Sequence, residues 1–112
     1  MSIIVNIRYT GENGSARLFA DEMESSGTAS LIRAEEGNEG YEYFVPLSGG
    51  ETILLIDRWR DQAAIDHHHA SPMMETITAL REKYGLRMSV ERFVSDEDGI
   101  PEQDKRFIRA NI

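Results

Sequence analysis

One stretch of this 112-residue chain constrains its folding more than any other. From Thr52 to Trp59 the residues Ile53-Leu54-Leu55-Ile56 are apolar in succession before Asp57-Arg58-Trp59 brings in charge. Neighbouring residues of a strand point to opposite faces, so an unbroken apolar run belongs inside a sheet covered on both sides. Residues 2–10 repeat the message more weakly. Ile3, Val5, Ile7 and Tyr9 share one face, while Ile4, Asn6 and Arg8 form a second face that begins apolar and turns polar.

Between and after these runs the punctuation is regular. Gly11-Glu12-Asn13-Gly14 is turn material, and Leu18, Phe19 and Met23 predict an amphipathic helix from about Ser15. Ser25-Ser26-Gly27-Thr28 interrupts it, and a second helical piece with Leu31, Ile32 and Ala34 runs to Gly37. Tyr41 to Val45 is rich in strand formers, and Ser48-Gly49-Gly50 turns that strand into the run from Thr52. Asp61 can cap a helix over 62–70, and Ser71-Pro72 predicts another start, with serine as N-cap, proline at N1 and Glu75 in the first turn. Met73, Met74, Ile77, Leu80 and Tyr84 make its apolar stripe, Gly85 ends it, and Leu86, Met88 and Val90 alternate with polar residues in a last strand reaching Phe93-Val94. The order is βαββαβ, that of an α+β ferredoxin-like sandwich with an antiparallel sheet and helices on one face. Because the strands are apolar on both sides, the other face is expected to close on a second copy of the chain, making a homodimer.

Charge and composition remove several classes of function. Twelve Lys and Arg against 20 Asp and Glu give a net charge of −8, which argues against nucleic acid or an anionic membrane as partner. With Cys 0 there are no disulfides, zinc ribbons or thiol nucleophiles. No apolar run is long enough to span a bilayer, and the first residues lack the pattern of a secretory signal, so a cytoplasmic location is expected. Residues 1–95 are expected to form the domain. Residues 96–112, opening with Asp96-Glu97-Asp98-Gly99-Ile100-Pro101, form a polar tail whose Phe107, Ile108 and Ile112 either dock on the partner subunit or belong to a mobile terminus.

Few residues stand out for chemistry. Phosphate-loop, dinucleotide, zinc-helix and nucleophile-elbow motifs are absent. His67-His68-His69 cannot bind one metal from one helix, because consecutive side chains diverge by about 100°. One histidine is expected to face inward and two to be solvated. Asn6, among isoleucines, needs a partner, a water or a ligand, or bonds backbone at a strand irregularity. Arg8, Arg58 and Arg92 can pair across the sheet with Asp57 or Glu91. Trp59, Met73 and Met74 suit either the core or the wall of an apolar pocket.

The segment Ile53 to Asp61, followed by Ala64-Ile65-Asp66-His67-His68-His69-Ala70-Ser71-Pro72, resembles the antibiotic biosynthesis monooxygenase family. That family's pattern is an apolar strand ending acid-x-Trp, a short helix, then His-x-x-Ser/Thr-Pro. Asp57, Trp59, His68 and Ser71-Pro72 match it, and Glu35-Glu36-Gly37 with Gly40-Tyr41 resembles the segment before the second strand. The resemblance, over roughly residues 2–95 in element order, implies a dimeric α+β barrel with a cavity between sheet and helices in each subunit. Members include quinol monooxygenases, oxygenases of polyketide phenols that use neither metal nor flavin, and a haem-degrading branch. Asn6 matches that branch's strand-one asparagine. His68 stands at its tryptophan and Thr78 near its haem-ligating histidine, so haem degradation is disfavoured. Met73 replaces the histidine that many members carry after Ser/Thr-Pro.

The resemblance therefore implies a cofactor-independent monooxygenase that oxidises a small phenolic or quinol substrate with O2. No cofactor and no metal are expected. His68 is the candidate base, Asn6 would orient the hydroxyl or oxygen, and Trp59 with Met73 and Met74 would wall the ring. Arg8, turned inward, would stabilise a phenolate. The alternatives are a dimeric module that binds a small ligand without converting it, and an isomerase or decarboxylase using the same cavity. The catalytic expectation requires Asn6 and His68 to face one hollow.

Overall fold

A computed structural model describes residues 1–108, which leaves the expectation for Ile112 outside the described residues. The elements follow in the order β1 (Ile3–Thr10), α1 (Ser15–Ser25), α2 (Thr28–Arg33), β2 (Asn38–Phe44), β3 (Thr52–Trp59), α3 (Gln62–His69), α4 (Met73–Lys83) and β4 (Arg87–Val94), then a 3-10 turn at Glu97–Gly99 and a short α5 (Glu102–Lys105). The four strands form one antiparallel sheet in the order β2-β3-β1-β4, with all four main helices on one face. This is the expected ferredoxin-like α+β arrangement. Among the described residues, no helix is long and apolar enough to cross a membrane.

Alternation decides which side chains enter the core. Ile53, Leu55, Asp57 and Trp59 of β3 are buried against the helices, as are Ile7 and Tyr9 of the neighbouring β1. Phe19 and Met23 of α1, Ile32 of α2, Ile65 of α3 and Ile77 and Leu80 of α4 close over them. Tyr9 and Phe19 pack at 4.8 Å between ring centroids, and Phe19 meets Tyr43 edge-on at 6.2 Å. Leu18 and Leu31, read as part of the helical apolar stripes, are instead 53% and 61% exposed. Each adjoins a fully buried residue, and a helical step of 100° cannot bury both.

Two local expectations meet different outcomes. Asp61 caps α3 as predicted, its carboxylate accepting the Ala64 N–H at 2.9 Å. Ser71 does not cap α4. Its hydroxyl donates to the His68 carbonyl at 2.8 Å, Pro72 occupies the cap position, and the turn between α3 and α4 is tied back to the helix before it. At the other end of α4, Gly85 takes the left-handed φ of 59° that terminates the helix. Strand β2 starts at Asn38, earlier than Tyr41, with an irregularity between Asn38 and Gly40.

Candidate active site

The sheet and the pair α3/α4 enclose a cavity of about 210 Å³. Its floor follows from the strand register. Asp57 on β3, Val5 on β1 and Arg92 on β4 lie in one row, and Ile7 and Val90 lie in the next. Trp59 and Met88 extend that floor, while Ile65 and His69 from α3 and Met74 and Arg81 from α4 form the roof. The helices do not reach over β4, whose Met88 and Val90 are each 48% exposed, so the hollow opens along that edge.

Asp57 is the chemically unusual member. It is buried, and its Oδ1 has no hydrogen-bond partner. Burial pushes its carboxyl up to about 6; the Trp59 indole N–H and the nearby His68 oppose the rise, and Glu35 adds to it. His69, at the opening, is pushed below the ordinary imidazole value, first by partial burial and then by His68, Arg81 and Arg92, with Asp66 opposing. A neutral imidazole at physiological pH can accept a proton, and a carboxyl near 6 can give or take one. Arg81 donates from Nη2 to the Tyr9 hydroxyl at 3.0 Å, and Arg92 donates to Gln62 Oε1 at 2.5 Å.

Several sequence-predicted residues lie elsewhere. His68 is the inward-facing histidine, but it does not line the cavity. Its ring packs on Trp59 at 4.9 Å, and Nδ1 stands 3.0 Å from both carboxylate oxygens of Glu35. His67 and His69 are both exposed, the expected two solvated members of the triplet, and His69 also borders the mouth of the hollow. Asn6 lies on the opposite face of the sheet, between Ile56 and Glu91, so it shares no cavity with His68. The reason is parity: Asn6 is one step from Val5 and Ile7, and one step along a strand reverses the side chain. Arg8 is on that outer face as well and is ion-paired with Glu91, not turned inward. Trp59 and Met74 do line the cavity, whereas Met73 packs against the core without reaching it. Among the described residues, no three His, Asp or Glu side chains gather as they would for a metal ion.

Some of what was missed had a signal. Asp57 occupies an inward parity position between Leu55 and Trp59, where a charge is anomalous. Arg81 follows Ile77 by four residues and His69 follows Ile65 by four, so both lie above core positions on their helices. The pairing of His68 with Glu35, 33 residues away, has no local signature.

Comparisons with known proteins agree with this fold. The antibiotic biosynthesis monooxygenase family matches residues 2–80. "Putative monooxygenase YcnE" of Bacillus subtilis (strain 168) is 29% identical over 56 residues, which are 50% of this chain and 59% of that protein. The chain thus spans little more than half the length of that curated relative. Among solved structures, a "putative antibiotic biosynthesis monooxygenase" from Deinococcus radiodurans superposes with a TM-score of 0.73 at 17% identity, covering 85% of this chain and 93% of the other. SnoaB, a cofactor-independent oxygenase from Streptomyces nogalater, gives 0.72 at 14% identity, covering 86% and 94%. At such identities the structural likenesses speak for the fold, and the match over residues 2–80 speaks for the family. The chain belongs to the antibiotic biosynthesis monooxygenase family.

Proposed function

We propose that this protein is a cofactor-independent monooxygenase that oxidises a small phenolic or quinol ring with O2 inside the cavity beneath α3 and α4. The observation that carries this reading is the pairing of an apolar, Trp59-walled hollow with two titratable groups, Asp57 and His69, tuned toward neutrality. Triplet oxygen reacts slowly with closed-shell molecules, so the substrate must itself be the electron donor. His69 takes a ring hydroxyl proton. The electron-rich anion passes an electron to O2, and the two combine at a ring carbon as a hydroperoxide. Loss of water from that adduct leaves a hydroxyquinone: one oxygen atom stays on the ring, one leaves as water, and all four electrons come from the quinol. Asp57 supplies or holds the proton for the departing water, and the low-dielectric walls strengthen these interactions. Because Asn6 lies across the sheet, it has no part in this scheme.

The working unit in this proposal is a homodimer. The outer sheet face carries half-buried Ile4, Leu54 and Ile56, exposed Phe44 and Phe93, and the buried Asn6 Oδ1 without a hydrogen-bond partner. A second copy would cover the apolar residues and offer Asn6 a donor. Residues 1–95 make the domain. The tail from 96, with exposed Phe107 and Ile108, docks on the partner.

Oxygen uptake with single-ring quinols, with and without a ring carboxylate, tests the activity. One O2 consumed per quinol, without added metal or flavin, is the expected result; binding without uptake leaves a ligand-holding module. That second reading is favoured by one observation, the separation of Asn6 from His68.

A further inference from the structure

In this acidic chain the arginines are mostly matched to carboxylates: Arg8 to Glu91, Arg33 to Glu24, Arg58 to Glu39 and Glu97. Among the described residues, the two arginines that line the cavity are not so matched, and neither are the exposed Arg87 and Arg106, which lie outside it. Among the described residues, neither Arg81 nor Arg92 is ion-paired; each donates only to a neutral oxygen, of Tyr9 and Gln62 respectively. Arg81 Nε is buried and has no acceptor at all. A buried N–H of a cation without an acceptor is costly, and the cost is relieved when something enters to accept from it. Asp57 does not fill that role for Arg92. The row Asp57–Val5–Arg92 places them two strand spacings apart, roughly 10 Å.

We infer that the ligand of this cavity is a single-ring aromatic acid whose carboxylate is held by Arg81 and Arg92, with its ring over Val5 and Ile7 beside Trp59. This rests on the reading of the cavity as the ligand site and names the class of compound it takes. A guanidinium presents parallel N–H groups that match a carboxylate, and a permanent anion there gives Arg81 Nε its missing acceptor. The volume of about 210 Å³ fits one ring with small substituents, since pockets for drug-sized ligands begin at about 300 Å³.

Trp59 is the single tryptophan and borders the cavity, so its fluorescence reports occupancy. The protein is titrated without oxygen with gentisate, a quinol bearing a carboxylate, and with gentisamide, its neutral counterpart. Gentisate is expected to bind at least about tenfold tighter. Arg81→Gln should abolish the preference, and Arg92→Gln should reduce it. Equal affinities, tighter binding of the amide, a preference unchanged in the variants, or no binding of either compound overturns the inference. Arg92 is exposed, so Arg92→Gln carries the test should Arg81→Gln fail to fold. Oxygen is then admitted. A carboxylate preference without oxygen uptake removes the monooxygenase reading and leaves this inference standing. Uptake with neutral quinols and no carboxylate preference does the reverse.

Discussion

His68 and Glu35 meet beneath the helix layer, the imidazole Nδ1 lying 3.0 Å from each carboxylate oxygen, with side chains only 6% and 12% exposed. The pair ties α3 to the connection between α2 and β2 and fixes the ring against Trp59. Removing the carboxylate strands a buried ring nitrogen, so Glu35→Ala is expected to lower stability by about 1–3 kcal/mol, and Glu35→Gln, which keeps an acceptor, by less. Urea denaturation midpoints at constant slope measure both.

Asp57 gives stability a pH dependence of definite sign. Its folded value of about 6 lies above its ordinary 3.8, because burial disfavours the charged form. The folded state therefore holds this proton more tightly than the unfolded chain. Its contribution is fully present below about 4 and is lost as pH rises through about 6, a change on the order of 3 kcal/mol. Asp57→Asn should be more stable than the parent above pH 6, with the gap closing toward pH 4. Melting temperatures of both proteins across that window check it; a gap that is constant with pH would contradict the assignment.

Three substitutions separate the proposed base from its neighbours. His69→Gln is expected to lower oxygen uptake by about 100-fold or more, the usual contribution of a positioned base. Asn6→Ala, across the sheet, should leave the rate per folded molecule unchanged. His68→Gln should show its main effect in the denaturation curve and not in turnover. Initial rates normalised to folded protein distinguish these outcomes.

Gly37 has a φ of 85°, and a Cβ built on it would stand 2.5 Å from the Ala64 Cβ. Gly37→Ala therefore meets both backbone strain and overlap with α3. Gly49, at a φ of 78° with nothing within 4 Å, isolates the strain alone. Gly37→Ala should exceed Gly49→Ala in destabilisation by about 1–3 kcal/mol, measured by thermal or chemical denaturation.

The homodimer is tested on the outer face. Ile56→Glu places a charge on the surface proposed to meet a second copy, with no side chain removed from the helix-covered core. Sedimentation at micromolar concentration should show a dimer for the parent and a 12.7 kDa species for the variant. A parent protein sedimenting only as the smaller species would end the dimer proposal.

Element order, strand faces and the Asp61 cap were determined by the sequence alone. They rest on periodicity and on contacts within a few residues, which any local stretch carries in full. The family pattern from Ile53 to Pro72 was legible for the same reason. The tertiary structure alone decided which histidine reaches the hollow, that Glu35 partners His68, and that Arg81 and Arg92 line one cavity without counterions. Those facts depend on where separate elements come to rest against each other. A shift of one residue along a strand, or one step around a helix, reverses or rotates a side chain while leaving the local pattern intact. Asn6 shows the consequence: its place in a motif pointed to the cavity, and its parity on β1 put it on the opposite face.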